Sequence, residues 1–349
     1  MSNHFEEKIF SEIEDETDDL NLRPQTLSEF VGQKSVVDNL TVYLRAAKLR
    51  NEVIDHVLFS GPPGLGKTTL AKILSESQNG QFYQLSAPNV KRPGDIVKIL
   101  SGLEKQDILF IDEIHRLSAP VEEILYPALE DREIDITLAD GLGASAMTLD
   151  LPPFTMVGAT TKPGNLSAPL RDRFGIHLRL EFYELNEIIQ IVKRAADLWK
   201  VRLSDDALHE IASRSRRTPR ISIRLLRRIW DYALVNKGTN ANKQLENIEI
   251  TKDIVLYSFK EMQIDKLGLT ALDNEFLSVL AKHYSGGPVG LKPMSAILSE
   301  DLTTLEDFVE PYMIRLDLIQ RTARGRKLTR KGFEHINLEM PNVENDLFT

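Results

Sequence analysis

The stretch SGPPGLGKTT, residues 60–69, holds three glycines, two prolines and one lysine in ten positions. It fits the pattern G-x-x-x-x-G-K-[ST] and lies between an apolar run of strand length, VLFS (57–60), and a helical pattern, TTLAKILSES (68–77). Residues without a Cβ let backbone N–H groups turn inward around phosphate oxygens, and the helix that follows adds its positive N-terminal end. This context favours a phosphate-binding loop over a Gly-Pro turn with one solvated lysine.

The loop residues have separable roles in such a site. We expect Gly61, Gly64 and Gly66 to shape the cradle. Lys67 would reach the β- and γ-phosphates of a nucleotide, and the Thr68 hydroxyl would hold magnesium.

A second stretch, ILFIDEIH (108–115), predicts a buried strand that delivers two carboxylates to its carboxyl end, where ligands collect in open α/β sheets. Asp112 would hold the magnesium through water, and Glu113 would polarise an attacking water as a base. The alternative is an acidic pair that only caps the next helix. His115 has no second histidine or acid at metal-ligand spacing, which favours a packing or surface role.

Composition limits the class of protein. A chain of 349 residues predicts two or three domains, and the absence of cysteine excludes a disulfide scaffold and a thiolate metal site. The N-terminus has no signal-peptide pattern, and no segment offers about 20 uninterrupted apolar residues, so we expect a soluble cytoplasmic protein without a membrane partner. The net charge of −9 argues against wholesale wrapping by nucleic acid, but bases crowd residues 214–228 and 321–331.

Apolar runs alternate with helical patterns over the first half of the chain, which predicts a parallel sheet covered by helices on both faces. The predicted strands are 57–60, 81–87, 107–112, 154–160 and 176–182. After these strands, three amphipathic patterns predict a helical region with no strand between its helices, one of them capped by Ser204. The last part of the chain predicts short helices followed by a hairpin.

Four motifs occur in an order that resembles the AAA+ ATPases: GPPGLGKTT, LFIDEIHRL, VGATTKPGNLSAPLRDRFG and RTPRISIRLLRR. Four further motifs resemble the RuvB family within that class: LRPQTLSEFVGQ, GGPVGL, EPYMIR and RTARGR. The likeness runs from Leu22 to Ile336. It implies a magnesium-dependent ATPase that assembles into a homohexameric ring, with an α/β P-loop AAA+ domain, a helical lid and a C-terminal winged helix that touches DNA.

The resemblance also implies domain bounds. An acidic tail would occupy residues 1–21 and a second tail 337–349. Between them we expect an ATPase domain (22–182), a lid (183–261) and a winged helix (262–336).

Matched position by position, the resemblance assigns further nucleotide contacts. It implies that Thr160 is sensor 1, Arg173 is an arginine finger reaching a neighbouring subunit, and Arg220 is sensor 2 of the lid. Spacing alone does not choose between Arg173 and Arg171. The remaining positions that it assigns to the nucleotide site are Leu22, Arg23, Leu65, Thr69, Glu130, Asp131, Arg132 and Tyr183.

Basic residues on the predicted lid helix have two interpretations. Their helical spacing is compatible with DNA phosphates, but the resemblance places one of them at ATP and others near subunit contacts, so we assign only Arg220. The residues concerned are Arg217, Arg220, Arg224, Arg227 and Arg228.

Residues 134–152 alternate apolar and polar side chains around a glycine-bearing tip, which predicts a β-hairpin. On sequence alone this could be an ordinary edge hairpin. The resemblance implies that it grips a junction-binding partner, RuvA, with Leu142 and Met147 as candidate apolar contacts. Ser145 and Thr148 stand where family members commonly carry a base.

The C-terminal hairpin is basic around Gly325, with Arg321, Arg324, Arg326 and Lys327. A winged helix uses such a loop to follow DNA phosphates, although a solvated basic turn is the alternative. The resemblance assigns DNA contacts to Arg321 and Arg326. Leu302 departs from members that have another basic contact there.

Together these features predict a ring ATPase that pumps duplex DNA through a RuvA-bound Holliday junction, in recombination and repair, with RuvC in a resolving complex. Two alternatives are a clamp-loader-type AAA+ ATPase and a non-hydrolysing, ATP-gated DNA-binding regulator. The intact set of Lys67, Asp112, Glu113 and Arg173 disfavours the regulator. A C-terminal winged helix in place of a collar domain disfavours the loader.

Overall fold

The computed structural model describes residues 22–137, 146–236 and 249–340. Within them the chain forms two compact units: residues 22–194 with 218–220, and residues 195–217 with the chain from 221 onward. The predicted tail 1–21 lies outside the described residues. The predicted domain bounds stay a prediction, because the two units do not separate a lid from a winged helix.

The first unit contains a five-stranded parallel sheet with the order β2-β3-β6-β1-β7. Its strands are β1 (Val57–Ser60), β2 (Phe82–Ser86), β3 (Ile108–Asp112), β6 (Thr155–Thr160) and β7 (Ile176–Arg179). The helices along this part of the chain are α1 (Lys34–Arg50), α2 (Lys67–Gln78), α3 (Pro93–Leu100), α4 (Ala119–Glu130), α5 (Ala168–Asp172) and α6 (Leu185–Leu198).

The central strands are buried along their length, as expected for a parallel sheet covered on both faces. The register pairs Ser60 with Thr160 on one side and with Arg179 on the other. The carboxyl ends of all five strands therefore meet at one edge, where the loop after β1 begins. The predicted parallel sheet is confirmed, with β7 ending at Arg179 instead of residue 182.

His56, just before β1, is a buried polar group of this core. The backbone N–H of Met156 donates to its Nδ1 at 2.9 Å, and its Nε2 lies 3.2 Å from the carbonyl oxygen of Leu129. Its ring packs against Phe154, with centroids 5.6 Å apart. Burial lowers the pKa of His56 below its usual 6.5, so the fold selects the neutral imidazole.

An antiparallel hairpin follows α4, formed by β4 (Glu133–Thr137) and β5 (Ala146–Asp150). It agrees with the predicted hairpin, but its tip lies outside the described residues, and with it Leu142 and Ser145. Met147 is 46% exposed, and the Thr148 hydroxyl donates to Asp135 at 2.7 Å.

The helical region is formed by α6, α7 (Asp205–Ser213), α8 (Pro219–Asn236) and α9 (Lys252–Glu261). Ser204 caps α7 as predicted, accepting a hydrogen bond from the backbone N–H of Ala207. The prediction of no strand between these helices is wrong. Two short strands, β8 (Arg202–Leu203) and β9 (Glu249–Ile250), pair in parallel. Two-residue strands are too short to show a periodicity, and their partners are far apart in sequence.

The last region consists of short helices and a hairpin, as predicted, and is a winged helix. Its helices are α10 (Ala271–Tyr284), α11 (Leu291–Leu298), α12 (Leu302–Thr304), which passes through a π-helical turn (Leu305–Val309) into α13 (Glu310–Arg315), and α14 (Arg330–His335). The hairpin strands are β10 (Ile319–Thr322) and β11 (Gly325–Leu328). Backbone hydrogen bonds between Val289 and Arg326 attach the preceding loop to the hairpin.

No helix in the described ranges is both long and apolar enough to cross a membrane.

Candidate functional site

The loop after β1 has a backbone that glycine permits. Gly61 and Gly66 have φ of 139° and 100°, where residues with a Cβ are strained. A Cβ on Gly61 would lie 2.4 Å from the carbonyl oxygen of Leu180, so the close approach of β7 also requires glycine there. Side chains at these two positions would therefore strain the loop backbone and clash with the protein around it.

Lys67 is the first residue of α2, at the end of this cradle. Its ammonium donates to the carbonyl oxygens of Gly61 and Pro62 at 2.8 and 2.9 Å. Burial lowers the pKa of Lys67 to about 8, while the carboxylates of Asp112 and Glu113 act in the opposite direction. A cation is therefore held inside the loop, next to two carboxylates, as the sequence motifs predict.

Asp112 ends β3, and its Oδ1 accepts a hydrogen bond from the backbone N–H of Glu113 at 3.0 Å. Glu113 has φ 51° and ψ 40°, a left-handed conformation that non-glycine residues adopt at a cost. The Thr161 hydroxyl donates to its Oε2 at 3.2 Å. The candidate base is therefore held by a strained backbone and a neighbouring hydroxyl.

His115 lies between two of the predicted catalytic residues, a position that sequence reasoning missed. Its Nε2 is 3.4 Å from Glu113 Oε2, and its Nδ1 is 2.9 Å from the Thr160 hydroxyl. The His115 side chain is 7% exposed. Thr160 is fully buried and accepts a hydrogen bond from the backbone N–H of Lys162 at 3.0 Å.

The two neighbouring threonines therefore occupy different surroundings. Thr160, predicted as sensor 1, contacts His115, which lies beside Glu113, whereas the Thr161 hydroxyl donates to the Glu113 carboxylate directly. Thr160 is the last residue of β6 and Thr161 lies just beyond the strand, and the repeated threonine gives no sequence signal to separate them.

Tyr183 holds the loop after β1 through a buried hydrogen bond. It is 2% exposed, and its hydroxyl donates to the carbonyl oxygen of Leu65 at 3.0 Å. Burial raises the pKa of Tyr183, so the phenol stays protonated. A Cβ on Gly32 would meet its ring at 2.7 Å. Leu22, another predicted pocket residue, is also buried.

Arg220 is brought to the loop by the start of α8. Its backbone N–H lies 3.4 Å from the carbonyl oxygen of Gly64, and a Cβ on Gly64 would approach the Arg220 side chain to 3.0 Å. Its charge acts to lower the pKa of Lys67. The predicted sensor 2 residue thus lies beside the cradle.

Arg173 is docked on α4 and α5 of its own chain. Its guanidinium donates to the carbonyl oxygens of Pro169 and Tyr126 at 2.7 and 3.2 Å, and pairs with Glu130 at 2.8 Å. It also lies over the Tyr126 ring, 4.6 Å from the centroid. The predicted finger, Arg173, therefore forms an ion pair with Glu130 of its own chain. Lys67, by contrast, contacts carbonyl oxygens of the phosphate loop.

The two predicted DNA contacts lie on the C-terminal hairpin. Arg321 and Arg326 face each other in register across β10 and β11. Both donate to the carboxylate of Glu310, at the start of α13. Glu310 is the first residue of the motif EPYMIR, and its contact with both arginines was not predicted.

A glycine cradle with a buried lysine, two carboxylates at the end of β3 and an arginine at the start of a helix define a nucleotide-binding P-loop ATPase of the AAA+ class. The chain belongs to the RuvB family. The family model described as the "Holliday junction DNA helicase RuvB P-loop domain" matches residues 22–180. The RuvB AAA lid domain matches residues 183–265, and the RuvB C-terminal winged helix domain matches residues 266–337.

Similar proteins agree with this family. The chain is 46% identical over 341 residues to the Holliday junction branch migration complex subunit RuvB of Rickettsia africae (strain ESF-5), covering 97% of each chain. The solved Thermotoga maritima RuvB Holliday junction branch migration motor is 45% identical, with a TM-score of 0.82, over 92% of this chain and 99% of that one. A point mutant of that protein gives a TM-score of 0.83 at 45% identity, over 92% and 100% of the two chains. The predicted family and fold class are confirmed.

Proposed function

We propose that this chain is the ATP-driven motor subunit of a Holliday junction branch migration complex. The observation that carries this proposal is that one chain of the RuvB family contains both a glycine cradle with its lysine and carboxylate pair and a winged helix with a basic hairpin. The cradle, Lys67 and the Asp112–Glu113 pair supply ATP hydrolysis. The hairpin carrying Arg321 and Arg326 supplies a surface for DNA phosphates.

Magnesium fits the residues of this site. A carboxylate at the end of β3 and a hydroxyl in the first turn of α2 are the oxygen donors that this cation prefers, and the cradle beside them is lined by backbone and a lysine ammonium suited to phosphate. We assign Thr68 and Asp112 to the metal. When bound, magnesium would neutralise charge on the β- and γ-phosphates.

Each side chain of the site then has its own role in ATP hydrolysis. Lys67 exchanges the carbonyl oxygens of Gly61 and Pro62 for phosphate oxygens. Glu113 orients the attacking water and accepts its proton. Thr161 and His115 hold the Glu113 carboxylate, and Thr160 acts through His115.

The nucleotide pocket is completed by residues near the cradle. Leu22, Arg23 and Tyr183 line it, and Arg220 contacts nucleotide bound in its own subunit. Leu65 and Thr69 contribute from the loop and from the first turn of α2.

The finger acts across a subunit boundary in a homohexameric ring. In support, Arg173 and Glu130 form a cluster on α4 and α5, and the Arg173 side chain keeps 25% of its surface exposed. Asp131 and Arg132 follow directly at an exposed turn. These four residues would face the ATP of the neighbouring subunit.

The expected protein partners follow from the proposed role as a branch migration motor. RuvA binds the hairpin of β4 and β5, where Met147 offers an exposed apolar contact, and RuvC joins in a resolving complex. Because Ser145 and Thr148 stand where family members commonly carry a base, this contact depends less on charge. A cytoplasmic location stays a prediction.

A synthetic four-way junction tests the function. We expect the full-length chain with ATP, Mg²⁺ and RuvA to dissociate the junction into duplex arms, and the Lys67→Ala variant to leave it intact. Dissociation that needs no ATP would contradict a motor. ATP hydrolysis without junction dissociation, but with loading of a sliding clamp, would favour the clamp-loader alternative.

A further inference from the structure

The predicted arginine finger is oriented by two backbone carbonyls and one aromatic ring. Arg173 donates through Nε to the carbonyl oxygen of Tyr126 at 3.2 Å and through Nη1 to that of Pro169 at 2.7 Å. Because a guanidinium group is planar, two such contacts fix its orientation. Its Cζ also lies over the Tyr126 ring, 4.6 Å from the centroid. One tyrosine therefore holds Arg173 through both its carbonyl and its ring.

The third nitrogen of this guanidinium contacts a carboxylate that is exposed. Nη2 of Arg173 donates to Glu130 at 2.8 Å, and the Glu130 side chain is 63% exposed. Water screens such a pair, so it contributes little to stability. A phosphate oxygen at this place could replace Glu130 while the contacts with Tyr126 and Pro169 stay. Nη2 is therefore the atom of Arg173 that the docked arrangement offers to another molecule.

A buried carboxylate holds Tyr126 in turn. Glu122 is 8% exposed and precedes Tyr126 by one turn of α4. The Tyr126 hydroxyl donates to Glu122 Oε2 at 3.0 Å, and the Ser167 hydroxyl donates to the same oxygen at 2.5 Å. Burial raises the pKa of Tyr126, so its hydroxyl stays protonated and able to donate. Hydroxyls that donate to a carboxylate form stronger hydrogen bonds than neutral pairs do, so the ring is firmly anchored.

Ser167 connects this carboxylate to the helix that ends at the finger. Its Oγ also accepts a hydrogen bond from the backbone N–H of Leu170 at 3.4 Å, which caps α5. Arg173 directly follows the last residue of α5. Glu122 therefore joins the two helices, α4 and α5, whose carbonyls and ring hold Arg173.

We propose that Tyr126 is a positioning residue for the arginine finger, with Glu122 as its anchor, so that Nη2 of Arg173 is presented to a phosphate of nucleotide bound in a neighbouring subunit. This inference rests on the proposed function, which makes Arg173 a finger, and adds the group that orients it. In this arrangement Tyr126 touches no nucleotide itself. Its loss should therefore slow hydrolysis in the neighbouring subunit and leave ATP binding by its own subunit unchanged.

Mixed rings separate this role from a general loss of stability. A Tyr126→Leu subunit would keep its own nucleotide site but carry a misdirected finger, whereas a Lys67→Ala subunit has the opposite defect. Mixing the two should restore ATPase, as expected for Arg173→Ala mixed with Lys67→Ala. Glu113→Gln mixed with Lys67→Ala is the negative control, because both of these substitutions act on the subunit's own nucleotide.

The experiment measures the ATPase of the full-length chain with Mg²⁺ and duplex DNA, alone and in mixtures shown to form joint rings, together with binding of a fluorescent ATP analogue. The variants are Tyr126→Leu, Tyr126→Phe, Arg173→Ala and Tyr126→Leu combined with Arg173→Ala. Tyr83→Leu is the matched control, because Tyr83 and Tyr126 both pack, half-buried, against the same hydrophobic core. If Tyr126→Leu unfolds below the assay temperature, Tyr126→Met replaces it, since its longer side chain reaches further into the space of the ring.

Misplacing a group close to the reaction by about 1 Å can cost about 10²-fold in rate, and losing a finger costs about 10³-fold or more. We expect kcat to fall about 10- to 100-fold in Tyr126→Leu, less in Tyr126→Phe, which keeps the ring, and not at all in Tyr83→Leu. The double variant should be no slower than Arg173→Ala, because Tyr126 acts only through Arg173.

Two results would overturn the inference: a wild-type kcat in Tyr126→Leu, or a lowered kcat that Lys67→Ala subunits do not rescue. The second result would mean that Tyr126 supports its own subunit's site or fold and not the finger. A wild-type kcat in Arg173→Ala would instead remove the finger itself, and with it the hydrolysis across a subunit boundary on which the inference rests.

Discussion

Replacing Tyr183 by phenylalanine tests how the phosphate loop is held. The substitution keeps the ring that packs against Gly32 and removes only the hydroxyl that donates to the Leu65 carbonyl oxygen at 3.0 Å. Because Tyr183 is 2% exposed and Leu65 is fully buried, water does not readily replace the lost donor. The loop should therefore become less stable without losing its packing.

The size of the effect follows from this burial. Leaving a buried acceptor without its donor costs about 1–3 kcal/mol, and we expect the lower half of that range, about 1–2 kcal/mol, since no charge is involved. For a unit of this size, each kcal/mol lowers the midpoint of thermal unfolding by about 2–4 °C, which gives a loss of about 2–8 °C. If 1 kcal/mol of this cost destabilises the loop conformation that binds nucleotide, the Kd for ATP rises about fivefold.

Two measurements check this prediction: thermal unfolding of the nucleotide-free protein, and binding of a fluorescent ATP analogue. Tyr83→Phe is the matched control, because Tyr83 is a half-buried tyrosine of β2. A Tyr183→Phe protein with the unfolding midpoint and ATP affinity of Tyr83→Phe would refute the view that the hydroxyl supports the loop.

Four further predictions concern the ATPase unit. Glu113→Gln should lower turnover by about 10²–10⁴ while ATP stays bound, whereas Lys67→Ala should weaken binding itself; equal losses of affinity would contradict these roles. Arg173→Ala mixed with Lys67→Ala should regain ATPase, because mixed interfaces pair an intact pocket with an intact finger; no rescue in proven joint rings would place the finger elsewhere. His115→Ala should lower kcat about tenfold or more with little change in ATP affinity, and an unchanged kcat would leave His115 a packing residue. Since burial lowers the pKa of His56, stability should be complete above about pH 6.5 and fall as the pH drops through the folded pKa; His56→Gln should flatten this dependence of the unfolding midpoint, and an equally steep curve would exclude His56 as its source.

The nucleotide loop could be predicted because its information is contiguous. Gly61, Gly66 and Lys67 encode a backbone shape and a cation within seven residues, and the strand and helix beside them are read from local apolarity. The same holds for Asp112 and Glu113 at the end of β3. Local sequence was therefore enough to predict the loop and the carboxylate pair.

The side chains that contact these site residues could not be predicted from local sequence in the same way. His115 and Thr160 are 45 residues apart, and their contact exists because β3 and β6 are neighbours in the sheet. The different contacts of Thr160 and Thr161 likewise depend on how the end of β6 lies beside the segment that follows β3. Strand order and side-chain direction are properties of the packed sheet.

The winged helix shows the same division. The sequence by itself determined a basic hairpin with Arg321 and Arg326 around a glycine turn. Only the tertiary structure decided that both arginines pair with one buried carboxylate while Arg321 stays half exposed, because α13 brings Glu310 to the hairpin from 11 and 16 residues away. Residue type and spacing set the charges available, but burial and pairing set their energies, and both depend on groups that only the folded chain brings together.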